Sequence, residues 1–177
     1  MQGLPVLHFA ANSEVVAALL AGGADLTAGV KGVTPVSTAA FRGRLSVVQA
    51  LEAAGVDLTA RSHNRNSLIQ WACIGGAMGT DDATADQMRA AGRHAVVEYL
   101  GTRGADVNAR NGDGETALHT AAKFEPDMVR RLLNMGADPT VQSGDGKLPI
   151  DWARECNQPE AVDLLTKALK PKAEGNK

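Results

Sequence analysis

The sequence predicts an all-α solenoid, in which short helix–turn–helix units with β-turn or loop tips stack side by side. Three observations carry this prediction. The stretch Gly112–Ala122 (GDGETALHTAA) recurs in weaker versions along the chain. The copies follow a period of about 33 residues, since Thr34 lies 33 positions before Ser67 and Thr116 lies 32 positions before Leu148. The first four copies each open a segment that ends in Gly-Ala-Asp or a close variant.

The composition is that of an ordinary globular chain. Its 177 residues, 44% of them hydrophobic and 21% charged, suit one domain with a substantial core. The net charge of −2 provides no whole-chain attraction to nucleic acid or to an anionic membrane. No apolar run approaches the ~18 residues that a membrane span needs. The two cysteines and the lack of a secretory-signal pattern lead us to expect an intracellular, cytoplasmic protein whose thiols are reduced.

The period divides the chain into five units. We assign them to residues 3–31, 32–63, 64–111, 112–143 and 144–169, all within one domain over residues 1–169, followed by a flexible tail at 170–177. In the second unit, Thr34 is expected to cap the first helix, with Pro35 at its first position. Val47, Val48 and Leu51 recur at helical spacing and predict the buried stripe of the second helix.

Two units depart from the period. The first lacks three residues in its inter-helix turn, which favours a shortened end cap. The third holds about 16 extra residues within 75–92, because Ser67 and Thr116 are 49 positions apart. We expect this insertion to form a glycine-rich loop, followed by an N-terminal extension of the second helix. The extension would begin near Thr80 and kink at Gly92.

The fourth unit is the clearest copy, and the fifth is degenerate. Thr116, Leu118 and His119 lie at the spacing T-x-L-H, whereas the fifth unit keeps mainly an apolar helical stripe. These residues and the period resemble the ankyrin repeat, whose signature is T-P-L-H-x-A in about 33 residues. The resemblance implies that partner proteins bind the turn tips and the inner face of the first helices.

The resemblance also implies a structural role for two of the four histidines. His8 and His119 occupy the signature position, where the imidazole is expected to bridge backbone groups of neighbouring turns. His63 and His94 have no cysteine or histidine at metal-ligand spacing, so we expect no metal site.

The sequence indicates no enzyme and no cofactor. It contains no G-x-S-x-G, phosphate-binding loop or H-E-x-x-H motif. The stretch 111–115 lacks the glycine and glutamate that a calcium loop needs at its sixth and twelfth positions. Asp81, Asp82 and Asp86 form an acidic cluster that is typical of a helix start rather than of a catalytic pair. Basic and acidic residues are interleaved at the tips, which disfavours nucleic-acid binding.

The candidate partner contacts are the residues at positions that the repeat signature leaves variable. On the turn tips they are Arg61, His63, Arg65, Arg110, Asp113, Glu115, Asp145 and Lys147, and on the inner helices they are Phe41, Arg42, Ile74, Lys123 and Phe124. Aromatic anchors with a charged rim are typical of protein-binding hot spots. The basic members of the set favour a partner segment that carries acidic and apolar side chains.

Two interpretations of this surface remain open from the sequence. The apolar strip of Phe41, Ile74 and Phe124 either receives a partner protein or is covered by the chain's own insertion, with Met88 as the plug. The leading functional prediction is a non-catalytic protein–protein interaction module. The alternative is a structural subunit of a larger assembly that docks through the insertion in the third unit.

Overall fold

A computed structural model of the chain describes residues 5–26, 29, 32–62, 64–77 and 83–170. Within these residues the secondary structure is helical, and it begins with a 3-10 helix over Val6–Phe9. The α-helices that follow are α1 (Ser13–Ala21), α2 (Pro35–Phe41), α3 (Leu45–Ala53), α4 (Leu68–Ile74), α5 (Ala83–Thr102), α6 (Ala117–Phe124), α7 (Pro126–Asn134), α8 (Pro149–Glu155) and α9 (Pro159–Leu169).

The helices form two layers. Helices α2, α4, α6 and α8 pack side by side in the inner layer, each against the next. In the outer layer α1 packs on α3, α3 on α5, and α7 on α9. Each inner helix also packs on the outer helix that follows it in the chain. The all-α solenoid predicted from the repeats is therefore confirmed, and the inner layer with its preceding turns forms one continuous surface.

Local capping explains where the inner helices begin. The Thr34 hydroxyl accepts from the Ser37 amide at 3.3 Å, and the Ser37 hydroxyl accepts from the Thr34 amide at 2.9 Å. Ser67 and Gln70 exchange the same pair of bonds at the start of α4. Pro35 occupies the first turn of α2, where no backbone donor is needed. The predicted cap at Thr34, with Pro35 as the first residue of the helix, is thus observed.

The core lies between the two layers. Val47, Val48 and Leu51 on α3 are buried, as their helical spacing predicts, and so are Val129 and Leu132 on α7. The first unit is less complete than the others. It has a 3-10 helix of four residues in place of a first α-helix, and α1 buries one residue, Val16. This unit therefore contributes little to the described core.

Helix α5 is the longest helix that the structure describes. It contains 20 residues, whereas α3 contains nine, and it continues through Gly92 without interruption. The kink at Gly92 stays a prediction, and the structure shows this glycine at a close packing contact. A Cβ at Gly92 would lie 2.4 Å from the carbonyl oxygen of Gly43, which itself has a φ of 68° in the α2–α3 turn. The predicted helix start near Thr80 and the tail at 171–177 fall outside the described residues.

A buried ionic cluster joins α5 to the α6–α7 junction. Arg93 Nη2 lies 3.2 Å from Glu125 Oε2, and His94 Nε2 lies 2.8 Å from Glu125 Oε1. Partial burial raises the pKa of Glu125, but the hydrogen bond from His94 and the charge of Arg93 outweigh it, so the net pKa lies below the usual range. The cluster thus links helix α5 to the end of the inner helix α6.

Candidate partner-binding groove

Two adjoining pockets lie on the inner face of the solenoid. The first, of about 270 Å³, lies where α4 and α6 meet their preceding turns. Its lining residues are Asn64, Asn66, Ile74, Asn111, Asp113, Glu115, Thr120, Lys123 and Phe124. The second, of about 380 Å³, lies one unit further along and is lined by Asp113, Glu115, Ser143, Gly144, Asp145 and Trp152. Both pockets are lined by Asp113 and Glu115, so they adjoin at these residues, and we call the two together the inner groove.

The apolar part of the inner groove comes from the C-terminal ends of α4 and α6. Phe124 is 44% exposed at the end of α6, and the half-buried Ile74 lies in the same pocket. Phe41 does not belong to the described lining of this pocket. Its ring instead packs edge-to-face on Trp71, with centroids 6.4 Å apart. The predicted apolar strip is therefore formed by Ile74 and Phe124, with Phe41 engaged by its neighbour.

Hydrogen bonds between successive turns hold the groove tips. The Gly112 amide donates to the Asn64 carbonyl at 2.8 Å, and the Gly144 amide donates to the Asp113 carbonyl at 2.7 Å. Within the middle tip, Asn111 Oδ1 accepts from the amides of Asp113 and Glu115, both at 2.9 Å. These local and inter-turn bonds define the tip shape before any partner arrives.

The arginines of the predicted basic rim brace these turns. Arg61 Nη1 donates to the carbonyls of Arg65 at 3.2 Å and Arg110 at 3.1 Å. Arg110 Nε donates to Gly114 at 3.1 Å, and its Nη2 donates to Gln142 at 2.8 Å. Neither guanidinium belongs to the described lining of the inner groove. The structure thus places these two arginines as supports between tips, rather than as a basic border of the pockets.

The remaining candidate residues separate into engaged and exposed groups. Lys123 Nζ lies over the ring of Trp152, 3.2 Å from the centroid, and Lys147 Nζ lies 2.7 Å from Glu155 Oε1. Arg42 and Arg65 are exposed outside the described pocket linings, and Arg65 has a left-handed φ of 58°. His63 lies outside the described residues.

The carboxylates of the inner groove have neutral hydrogen-bond donors. Asp113 Oδ2 accepts from Asn64 Nδ2 at 3.0 Å, and Glu115 Oε2 accepts from Asn111 Nδ2 at 3.0 Å. The Ser143 hydroxyl donates to Asp145 and lowers the pKa of that carboxyl. Asp113 and Glu115 are therefore held by neutral donors that leave their negative charge in place, whereas Asp145 also has the ammonium group of Lys147 at 3.9 Å.

The signature histidines bridge neighbouring turns, as predicted. His119 Nδ1 accepts from the Thr116 amide at 3.1 Å, and Nε2 lies 3.1 Å from the Lys147 carbonyl in the next tip. His8 Nε2 lies 3.0 Å from the Val33 carbonyl, one unit along. Burial lowers the pKa of His119, which favours the neutral ring that these bonds require.

The sequence interpretation overlooked Thr120 and Trp152 as groove residues. Each lies four positions after the residue that precedes its inner helix, Thr116 and Leu148 respectively. The signal was present in the repeat register, since Trp71 occupies the same position after Ser67. The predicted inner-helix contacts all lie seven or eight positions after the residue that precedes the helix, at its C-terminal end.

The competing interpretation, in which Met88 plugs the groove, is not supported by its placement. Met88 lies on the N-terminal half of α5 and is 71% exposed.

The thiol of Cys73 is buried and that of Cys156 is exposed, and the two are unpaired. Burial raises the pKa of the Cys73 thiol, so its thiolate form is disfavoured.

Neither a metal-binding cluster nor a membrane span is present in the part of the chain that the structure describes. No group of three or more His, Cys, Asp or Glu side chains there is arranged to hold a metal ion. Over the same residues, no helix combines the length and the apolarity that crossing a bilayer requires.

Comparison with known proteins agrees with the geometry. The chain is 36% identical over 108 residues to the E3 ubiquitin-protein ligase Ufd4 of Drosophila melanogaster, over 60% of this chain and 3% of that protein. It is 34% identical over 111 residues to the E3 ubiquitin-protein ligase hecd-1 of Caenorhabditis elegans, over 62% of this chain and 4% of that protein. The chain thus spans only a small part of the curated relatives it matches. A family model described as ankyrin repeats (3 copies) matches residues 87–175, about half of the chain. The chain belongs to the ankyrin repeat family.

Proposed function

We propose that this protein is a non-catalytic protein–protein interaction module that binds a partner through the inner groove and its turn tips. The observation that carries the proposal is the exposed Phe124 beside Ile74, in a groove whose tips are already held by inter-turn hydrogen bonds. A partially exposed aromatic side chain next to a rigid polar border resembles an interface hot spot. Because the tips are pre-ordered, little conformational entropy is lost on binding.

The proposed contacts centre on the residues that line the groove. These are Ile74, Asp113, Glu115, Lys123, Phe124 and Asp145. The further proposed contacts are Phe41, Arg42, Arg61, Arg65, Arg110 and Lys147, together with His63, which lies outside the described residues. We further propose that the array comprises five repeats. The stretch 75–92 would then be an insertion in the third, supported by the register of the capping residues and by the length of α5. The relatives are named as ubiquitin ligases, and we propose for this chain only the binding role of its repeats.

The decisive experiment compares two surface variants of the same chain. Phe124→Asp places a charge in the groove, whereas Met88→Asp places one on an exposed side chain of α5 outside it. Proteins captured by the immobilised chain are quantified by mass spectrometry for wild type and both variants. Helicity by circular dichroism serves as the folding control. We expect Phe124→Asp to lose a partner that Met88→Asp retains.

A photo-crosslinking residue at Thr120, inside the groove, identifies the contacted partner directly. The same residue at Thr102, at the end of α5, is the control. Crosslinks to the captured partner at position 102 but not at 120 would remove the groove from consideration. Equal capture by Phe124→Asp and wild type would do the same.

The second candidate function is a structural subunit that docks through the insertion. It is favoured by one observation, the 71% exposure of Met88 on the part of α5 that extends beyond its counterparts. A large apolar side chain so exposed suits a contact surface. The same pair of variants separates the two candidates. Loss of capture in Met88→Asp with retention in Phe124→Asp would favour docking through α5.

A further inference from the structure

The charge of the inner groove is opposite to that of the predicted basic rim. Among the described residues that line its two pockets, three carry carboxylates and one carries an ammonium group. The carboxylates belong to Asp113, Glu115 and Asp145, and the ammonium group belongs to Lys123. Burial keeps His119, which lies behind the second pocket, in its neutral form by lowering its pKa. A partner segment therefore meets a net negative lining.

Three basic side chains near the tips, those of Arg61, Arg110 and Lys147, make contacts within the chain, whereas Arg65 is exposed. Arg61 and Arg110 direct their donors to backbone carbonyls of adjacent tips. The carbonyl contacts hold Arg61 and Arg110 outside the two pockets but do not neutralise their charge. Lys147 lies 3.9 Å from Asp145 but only 2.7 Å from Glu155, so Glu155 is its closer partner. The carboxylates of Asp113 and Glu115 accept only from amide groups in the contacts described above. Their charge remains available to an incoming cation.

An intramolecular contact already places a cation against the ring of Trp152, between the lining of the first pocket, which holds Lys123, and that of the second, which holds Trp152. Lys123 Nζ lies 3.2 Å from the centroid of the Trp152 ring, which lines the second pocket beside Asp145. An ammonium or guanidinium group is attracted by the face of an indole ring, and nearby carboxylates add to the attraction. The adjoining first pocket supplies apolar surface from Ile74 and Phe124.

We infer that the inner groove binds an extended protein segment that carries arginine or lysine side chains next to an apolar side chain. The cationic groups pair with Asp113 and Glu115, and the apolar side chain contacts Phe124 and Ile74. The inference rests on the proposed function and specifies its partner. It replaces the acidic segment expected from the sequence, because the arginines that suggested an acidic partner do not line these two pockets, and Arg61 instead lines a small neighbouring pocket of about 30 Å³. Charge complementarity of this kind sets specificity and association rate.

Two synthetic peptides test the inference. One nine-residue peptide alternates leucine and arginine, and the matched peptide alternates leucine and glutamate. Both carry a fluorophore and blocked ends, and binding to the full chain is measured by fluorescence anisotropy. We expect the leucine–arginine peptide to bind and the leucine–glutamate peptide to bind at least roughly tenfold more weakly, with an affinity that falls as salt rises.

Variants of the chain locate the bound peptide. Asp113→Asn with Glu115→Gln removes both shared carboxylates while keeping hydrogen-bonding side chains, and should weaken the leucine–arginine peptide about tenfold or more. Asp163→Asn, an exposed carboxylate on α9, is the matched control and should change the affinity little. Phe124→Ala should weaken the same peptide, because it removes the apolar contact.

The outcomes separate this inference from the proposed function. Preferential binding of the leucine–glutamate peptide, lost in Phe124→Ala, would overturn the charge preference and leave the groove as the binding site. Binding of the leucine–arginine peptide that is equal in wild type, the double variant and Phe124→Ala would place it elsewhere and overturn the inference. Failure of both peptides to bind would overturn the stated partner chemistry, while the crosslinks from Thr120 still decide the proposed function.

Discussion

At the scale of single residues, the side chain three positions after the cap of an inner helix determines whether a hydrogen bond reaches the next unit. His119 reaches the Lys147 carbonyl, and Gln70 Nε2 reaches the Glu115 carbonyl at 2.8 Å in the same manner. Among the described residues, Ser37 bonds within its own turn, and its short side chain does not reach the next one. Side chains of this position are therefore structural, although histidine suggests catalysis when it is seen alone.

The first prediction concerns His119, which is 0% exposed. His119→Leu should lower the free energy of unfolding by roughly 2–4 kcal/mol, because it leaves the Thr116 amide and the Lys147 carbonyl without their partner. His119→Gln should cost about 1 kcal/mol or less, since Gln70 makes both bonds at the equivalent position. Urea unfolding measures both values. Equal destabilisation by the two variants would contradict the bridging role.

The same residue produces a pH dependence with a defined sign. Burial lowers the pKa of His119 in the folded state below its value of about 6.5 in the unfolded chain. The unfolded chain then binds a proton that the folded chain does not, so stability falls as the pH drops below about 6.5. His119→Gln should flatten this part of the profile. An unchanged slope between wild type and variant would show that other groups produce it.

At the scale of elements, helix starts were predictable and helix packing was not. Thr34 and Pro35 specify the start of α2 through bonds within four residues, which any local interpretation can find. Gly92 has the opposite character. Gly92 has no room for a side chain because the backbone of Gly43, a residue of a different unit, lies against it in the folded chain. A glycine in a helical sequence is compatible with a kink or with a close crossing, so the sequence does not distinguish the two.

The prediction at this scale compares two glycines of α5. Gly92→Ala should destabilise the fold by about 1–3 kcal/mol, because its Cβ would meet the backbone of Gly43 at 2.4 Å. Gly101→Ala is the control within the same helix. Its Cβ would meet the flexible end of Met135, and alanine raises helix propensity by up to about 1 kcal/mol. Thermal unfolding compares the variants. Equal stability of the two variants would show that the backbone of Gly43 does not constrain the residue at position 92.

At the scale of the whole molecule, stability is unevenly distributed along the array. A solenoid is stabilised mainly by contacts between neighbouring units, so an end unit has fewer of them. In α1 only Val16 is buried, whereas α6 buries five residues. Val6 and Phe9 in the same end unit are 58% and 57% exposed. The middle units therefore carry most of the core, and the inner groove extends from the third unit to the fifth.

Native-state hydrogen exchange tests this distribution. We expect the amides of α1 to exchange through local opening at a lower free energy than the amides of α6, which should approach the global value. Urea added below the unfolding transition should leave the opening energy of α1 nearly unchanged and lower that of α6. Uniform protection across α1, α3 and α6 would instead mean that the array unfolds as one cooperative unit.

The sequence alone determined the helical architecture and the repeat register, because both depend on local signals that recur every 32–33 residues. It also located Phe124 and Asp113 in the candidate site, since positions outside the repeat signature face the inner surface. Only the tertiary structure decided what these residues do together. Whether Arg61 and Arg110 face a partner or a neighbouring carbonyl depends on the distance between turns. That distance is set by packing between units, and for this reason the charge of the groove became visible only in the folded array.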